Sequence, residues 1–406
     1  MTRPLHIVVT VNAAWNLVNF RTGLLRALIA DGHRVTVLAP HDDSVARLQA
    51  LGCAFVDLPM NRKGLSPLAN LHIWRRLGAA MDRLRPDVVL SFTIKNNLYG
   101  ALAARRRRIP FIPNVTGLGT AFLSGGGLQR VAQMIYRHAF RGLPVVFFQN
   151  RDDLELFAGM GLVRPGQARV LPGSGIDLTR FAPAPMPENP PDAPVFLMIA
   201  RLLRDKGVVE FADAAAVVRR QFPHAQFRIV GPFGTENRSA LPPAQIMRWQ
   251  DAGHIVHLGA MPDVRPAIAE ADCVVLPSYR EGMPRVLLEA AAMARPVITT
   301  DVPGCRDALD AGKTGLLCQP RDSASLARAC ADFITLTPEA RAAMGQAGRA
   351  RRPRRAPVRR GTCDRGVSSG TGRCDGSGGL SLAACRAQSS SGGKSSARIA
   401  EKLWFR

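Results

Sequence analysis

Short apolar segments rich in β-branched residues alternate with helical stretches along most of the chain, and the alternation occurs in two series. The first series is His6 to Val11, Arg34 to Ala39, Ala54 to Met60, Asp87 to Phe92, Pro110 to Val115 and Val145 to Gln149. Between its third and fourth members, Leu68, Leu71, Trp74, Leu77, Met81 and Leu84 recur at helical spacing and mark one face of a helix. The second series is Val195 to Ala200, Gln226 to Gly231, Ile255 to Leu258, Cys273 to Pro277, Pro296 to Thr300 and Gly315 to Cys318. Such alternation predicts parallel, doubly wound sheets. Pro183 to Pro194, which reads PAPMPENPPDAP, can sustain neither helix nor strand and is expected as a linker. The fold class expected is therefore α/β, with two Rossmann-like domains at 1–182 and 195–348. A ligand cleft should lie between them, because open parallel sheets bind at the carboxyl ends of their strands.

Length and composition agree with this division. The chain has 406 residues, of which 47% are hydrophobic and 21% charged, enough apolar material for two cores and too much for a wholly disordered chain. With 54 Lys and Arg against 31 Asp and Glu the net charge is +23, which implies an anionic partner. Residues 349–406 hold 14 of those basic residues against three acidic ones, in an Arg, Gly and Ser mixture without apolar period. This segment is expected to be disordered. It reads as a nucleic-acid tail, a membrane-surface tail, or the product of a frameshift that has replaced a final amphipathic helix.

The eight cysteines include no CxxC pair, so Cys53, Cys273, Cys305, Cys318 and Cys330 are expected as buried free thiols in a reducing cytoplasm. No run approaches the ~18 apolar residues of a membrane span. The chain is expected to be neither secreted nor membrane-spanning.

The most informative segment is PSYREGMPRVLLEAAAMARPVITTDVPGCRD, Pro277 to Asp307. A strand ends at Pro277, a loop holds Glu281, Gly282 and Met283, and Pro284 stands where a first helical residue would. Glu289 follows one to two turns into that helix, so the two carboxylates can face one ligand lying across the helix N-terminus. Free backbone N–H groups near Gly282 to Arg285 suit a phosphate. Carboxylates for hydroxyls beside amides for a diphosphate make a nucleotide-sugar site. Upstream, ARLLRDKG brings Arg201 and Lys206 to the end of the first strand of the same domain, where two cations could stabilise a departing diphosphate. Taken alone they would pass as surface cations at a helix start.

With these residues in view, the chain resembles the retaining, nucleotide-sugar-dependent glycosyltransferases of GT-B family 4. The E-x7-E pattern (Glu281, Glu289) and the R-x4-K pattern (Arg201, Lys206) carry the likeness. FFQNRDDLELF, GSGIDLTRF, DVRPAIAEADCVVLPSYREG and RPVITTDVPGCRD are similar to segments of the bacterial branch that extends lipid-carrier-linked, capsular and O-antigen saccharides. The likeness spans roughly residues 5 to 345.

The resemblance implies that Glu289 holds the ribose hydroxyls and Glu281 the donor sugar. Arg201 and Lys206 would grip the diphosphate with the amides of Gly282 and Met283. The base, a uracil by family habit, would lie near Gly231 and the turn around Leu258, mainly against backbone. No metal or other cofactor is expected, since two fixed cations can do its work and no DxD-type motif follows a strand. Retention would come from front-face attack, the acceptor hydroxyl passing its proton to a donor phosphate oxygen. The donated sugar is expected to be an N-acetylhexosamine.

The acceptor should lie on the N-terminal domain. Where many relatives carry a Gly-Gly loop, NAAWNLVNFRTG offers Asn16, Asn19 and Arg21 at the head of a helix, either as contacts or as caps. Lys95 and Asn96 follow the fourth strand, and Thr116 follows the fifth in NVTGLG, where some relatives place a histidine; no catalytic histidine is assigned here. Arg105 to Arg108, with Trp74, Arg75, Arg76, Arg130, Arg137 and Arg141, could form a basic face that docks on anionic phospholipid at the inner surface of the cytoplasmic membrane, or be merely solvated. Two other readings compete: a sugar-nucleotide epimerase of the same fold, and an inactive product with a disrupted C-terminus. Nucleic acid is not an expected partner, since no aromatic-interleaved basic surface occurs in the body of the chain.

Overall fold

Two separate parallel sheets organise the computed structural model. It describes residues 3–60, 67–118, 126–164, 166–234, 237 and 239–351. Gly119 and the basic tail from 352 onward, for which disorder or a frameshift was the expectation, lie outside the described residues.

The first sheet has seven strands: β1 (His6–Thr10), β2 (Arg34–Ala39), β3 (Ala54–Asp57), β4 (Val88–Phe92), β5 (Phe111–Val115), β6 (Val146–Phe148) and β7 (Ala168–Val170). Their order is β3-β2-β1-β4-β5-β6-β7. The second has β8 (Val195–Ile199), β9 (Gln226–Val230), β10 (Val256–His257), β11 (Cys273–Leu276), β12 (Val297–Thr300) and β13 (Gly315–Cys318), in the order β10-β9-β8-β11-β12-β13. All pairings are parallel, so each crossover needs a helix and both faces are covered.

The central strands are buried on both sides, which explains why they read as continuous apolar runs. In β1, Ile7 and Val9 pack with Leu17, Leu25 and Leu28 on one face, while Val8 packs with Leu77, Met81 and Ala101 on the other. Burying each such Val, Ile or Leu contributes about 2 kcal/mol relative to exposure. The helix predicted from Leu68 to Leu84 is present as Pro67–Leu84, with Ile73, Leu77 and Met81 buried. Strand β7 was not predicted, because its three residues, Ala-Arg-Val, carry too little pattern to register.

Two boundaries move. The Pro-rich stretch 183–194 is not a free hinge but is strapped to the second domain. Arg295, fully buried, donates to the carbonyls of Ala184 (2.9 Å) and Pro185 (2.5 Å), and Arg341 donates to Pro191 O (2.7 Å). Asn189 Nδ2 donates to Asp272 Oδ2 at 2.7 Å, and Phe181 already belongs to the second core. The connection between the domains therefore lies upstream, between Val170 and Phe181.

The boundary expected at 348 also falls inside an element, the helix Pro338–Ala350. Gly345 approaches Ala294 so closely that a Cβ would sit 2.1 Å from its carbonyl oxygen. Arg349 and Arg351, counted above with the tail, are engaged with the fold. Arg349 donates to Phe181 O and Ala292 O, and Arg351 lies 3.3 Å from Asp310. The five cysteines within the described residues are buried free thiols, as expected. Burial pushes the Cys305 and Cys318 thiols up to about 12.

Candidate active site

In each sheet the strand order reverses once, between β1 and β4 and between β8 and β11. At such a point neighbouring loops diverge to opposite faces and leave a crevice at the strand ends. The residues singled out from sequence gather at these two crevices.

At the second, the chain leaves β8 through Arg201 into a 3-10 turn, Arg204–Lys206, and leaves β11 into the loop Pro277–Pro284. Gly207, with φ +77°, closes the turn against that loop: a Cβ there would lie 2.1 Å from Pro277 O. The loops are further tied by Tyr279 N donating to Asp205 O at 3.0 Å. Lys206 Nζ thereby meets Glu281 Oε1 in an ion pair, with the two side chains 20% and 15% exposed. The Ser278 hydroxyl donates to the same carboxylate oxygen at 2.7 Å. Arg201 is exposed, two residues past the end of β8.

Pro284 proves to be the cap residue, with extended backbone, and the helix begins one residue later as Arg285–Ala292. Glu289 lies in its second turn, mostly buried, and pairs at 2.7 Å with Arg285. Burial raises its pKa above the usual glutamate value, against the pull of Arg285. Each carboxylate of the E-x7-E pattern thus has its own cation.

Gly231, at the end of β9, is fixed by its neighbours, since a Cβ would sit 2.0 Å from Ala200 O. Its N–H donates to Gly259 O (2.8 Å), its carbonyl lies 2.8 Å from His257 Nε2, and Leu258 N donates to Ile229 O (2.8 Å). The backbone expected to receive the base is therefore already engaged. The Phe233 ring beside this turn is 45% exposed and edge-on to His257, their ring centroids 4.4 Å apart. Sequence reasoning passed over Phe233, although an aromatic just after a strand-ending Gly-Pro is a usable signal.

The first crevice has a different character. Asn96, expected to touch the acceptor, is fully buried: it donates to Thr10 Oγ1 (2.7 Å) and accepts from Thr93 Oγ1 (2.9 Å). It builds the crevice floor instead of facing a ligand. Thr93 itself has φ +73°, a strained backbone for a residue with a Cβ. Lys95 is half-buried beside it, and burial lowers its pKa.

Arg21 lies at the joint between the helices Ala14–Phe20 and Thr22–Ala30, 5% exposed, with its guanidinium 4.5 Å from the centre of the Phe92 ring. Burial, and then the charge of Arg285, lower its pKa to about 9. Asn16 and Asn19 do not cap: the N-cap is Ala13, and Asn19 Nδ2 donates back to Trp15 O at 2.9 Å.

The two crevices face each other. Arg285 lies over the Phe20 ring at 5.2 Å. A Cβ on Gly282 would fall 2.4 Å from Thr116 O, so the Glu281–Gly282 loop is pressed against the first domain, and one on Gly173 would fall 2.7 Å from Met283 Cγ. Lys206, Glu281, Gly282, Met283 and Glu289 thus line one edge of the second domain, with Arg21 and Thr116 opposite them; Arg201 is exposed on the loop that follows β8.

Residues 193–335 match the family model described as glycosyl transferases group 1, and residues 19–173 match the glycosyl transferase 4-like domain. The chain is 28% identical over 330 residues to the N,N'-diacetylbacillosaminyl-diphospho-undecaprenol alpha-1,3-N-acetylgalactosaminyltransferase of Campylobacter jejuni, covering 78% of this chain and 85% of that one. It is 27% identical over 281 residues to the UDP-Gal:alpha-D-GlcNAc-diphosphoundecaprenol alpha-1,3-galactosyltransferase of Escherichia coli, covering 65% and 68%. Among solved structures, Anabaena HepE in complex with UDP-glucose superposes with a TM-score of 0.67 at 20% identity, over 85% of this chain and 94% of that one, a likeness of fold.

Proposed function

The chain belongs to the GT-B glycosyltransferases with paired group 1 and 4-like domains, and from that premise we propose that it transfers an N-acetylhexosamine, with retention, from a UDP-sugar to a diphospholipid-linked saccharide in surface-glycan synthesis. The observation that carries this reading is the Lys206–Glu281 pair at the β8/β11 crevice, flanked by Gly282 and Glu289. An ammonium has three protons. Lys206 can keep Glu281 and still offer a donor to the diphosphate, while Arg201 approaches from the surface.

Glu281 then presents its second oxygen to a hydroxyl of the donor sugar, and Glu289 accepts from the ribose hydroxyls. The amides of Gly282 and Met283 would complete the cradle. As the sugar–phosphate bond breaks, negative charge grows on the diphosphate, and fixed cations and amides stabilise that charge more than they stabilise the bound donor. The acceptor hydroxyl attacks from the same face, and its proton passes to a donor phosphate oxygen. Arg21 and Lys95 are assigned to the acceptor diphosphate. On this account the cations replace a divalent metal, and turnover is expected to persist in EDTA.

The acceptor's lipid also gives the basic face a role. The helices Pro67–Leu84, Ile94–Arg106 and Gly126–Phe140 cover one face of the first sheet and turn Leu71, Arg75, Arg130, Val131 and Met134 outward. Arg107 and Arg105 are occupied, by Asp82 (2.6 Å) and by His138 O (2.6 Å), so neutralising Arg105 to Arg108 would also break the fold's own contacts. Docking on an anionic membrane surface is assigned to Arg75, Arg108, Arg130 and Arg141. Replacing these four with Gln should abolish flotation with anionic liposomes, at about 1 kcal/mol each; unchanged flotation would remove the membrane from the account. No helix among the described residues is long and apolar enough to cross a membrane.

The function itself is tested by incubating the full chain with labelled UDP-N-acetylhexosamines and undecaprenyl-diphosphate-linked acceptors. Label in the lipid fraction, with the α configuration, is the expected result. Free epimerised nucleotide sugar without acceptor would favour the epimerase.

A further inference from the structure

The loop Arg280–Gly282 is held from two sides by different domains. Its own domain supplies Lys206 and Ser278 at the Glu281 carboxylate. The first domain supplies Asn150, the N-cap of the helix Arg151–Gly159. Asn150 Oδ1 accepts from Asp153 N at 2.7 Å, as a cap should. Its Nδ2 donates across the interface to Gly282 O at 2.8 Å, and also lies 3.1 Å from Asp153 Oδ2 in its own domain and 3.3 Å from Glu281 O. One step further on, Asp153, 1% exposed, forms an ion pair with Arg280.

The two carbonyls matter because of what shares their peptide planes. In a trans peptide the C=O of one residue and the N–H of the next are coplanar and point in opposite directions. Glu281 O is coupled to the N–H of Gly282, and Gly282 O to the N–H of Met283. By holding both carbonyls on the side of the first domain, Asn150 turns both N–H groups the other way.

We propose that Asn150 is a positioning residue: from the opposite domain it aims the Gly282 and Met283 amides at the donor diphosphate, with the Asp153–Arg280 pair bracing the loop, so that the cradle is complete only while the domains are shut. The proposal rests on the reading of those amides as diphosphate ligands. It gives the N-x-x-D pattern, Asn150 to Asp153, a role beyond capping.

Asn150→Ser separates the two roles. Serine caps a helix as well as asparagine does, but its hydroxyl is too short to reach the loop. The variant should remain folded, with a modestly lowered unfolding midpoint because the loop carbonyls lose their donor, and should keep the wild-type affinity for uridine. Its preference for UDP over uridine, measured by calorimetry, should narrow about fivefold, as loss of the hydrogen bond to Gly282 O implies, with a matching fall in kcat. If Asn150→Ser does not fold, Arg280→Gln serves, since it loosens the loop without touching the cap, and a narrower preference is again expected. A folded variant with the wild-type preference would overturn this proposal alone. A wild type that binds UDP no better than uridine would overturn the donor reading and this proposal with it.

Discussion

The two crevices arise from the same topological event, a reversal of strand order, yet they are furnished in opposite ways. At β8/β11 the side chains are ionic and half-buried: Lys206 with Glu281, and Arg285 with Glu289. At β1/β4 they are largely neutral and turned inward, as Thr93, Asn96 and Thr10 satisfy one another in series. A charge held at a crevice mouth without full desolvation is available for a ligand, whereas a buried amide with both ends bonded is structural. The first arrangement is a prepared site. The second is a rigid floor that leaves recognition to Arg21, Lys95 and the second domain.

If that contrast is right, equivalent damage at the two crevices has different consequences. The largest effect is expected from Lys206→Met: loss of a preorganised transition-state cation costs roughly 10²- to 10³-fold in kcat, with the unfolding midpoint nearly unchanged. Asn96→Ala should do the reverse. It takes the acceptor from the Thr93 hydroxyl and a donor from the Thr10 oxygen, which still donates to Leu38 O, and costs about 2 kcal/mol of folding free energy, readable by denaturant titration, while the affinity for UDP holds. A stable Asn96→Ala protein that loses only acceptor turnover would return Asn96 to the acceptor site.

The smallest effect concerns pH. Because burial raises the pKa of Glu289, its carboxylate form, which accepts the ribose hydroxyls, is lost on acidification at a higher pH than for an ordinary glutamate. The donor KM should therefore climb as pH falls through that raised pKa, and Glu289→Gln should flatten the climb. The same shift has the opposite sign for stability: the folded state takes up the proton more readily than the unfolded chain, so this group's contribution is present at low pH and is lost as pH rises through the raised value. A KM profile identical in wild type and Glu289→Gln would remove Glu289 from the donor site.

Much of this was legible in the sequence because central parallel strands buried on both faces write themselves as apolar runs; of the strands described, twelve fall within runs read from the sequence, including the partly exposed edge strands Ala54–Asp57 and Val256–His257, and Ala168–Val170 does not. Arg201, Lys206, Glu281 and Glu289 could be found because strand-end loops in an open sheet leave little freedom about where their side chains gather. The environment of each was only partly legible. Arg285 as the partner of Glu289 does follow from spacing, four residues apart on one helix, but the reading of the loop stopped at the carboxylates; Arg21 packed on Phe92 does not, since it depends on how the first helix returns over the fourth strand. The same holds for Arg295, an arginine inside an apolar stretch whose reason is the carbonyls of the linker it clamps. Asn150 was hidden differently: an asparagine before a helix is fully explained as a cap, and only its second contact shows that it does more.

The most direct test of the account is a thermal-shift series on the full chain across UDP-, GDP- and ADP-sugars. A ligand at about 100 times its Kd adds roughly 2.7 kcal/mol to the folded state. A UDP-N-acetylhexosamine should raise the midpoint in the wild type and fail to do so in the Lys206→Met/Glu289→Gln double variant. No shift with any nucleotide sugar, or an equal shift in the double variant, would contradict it.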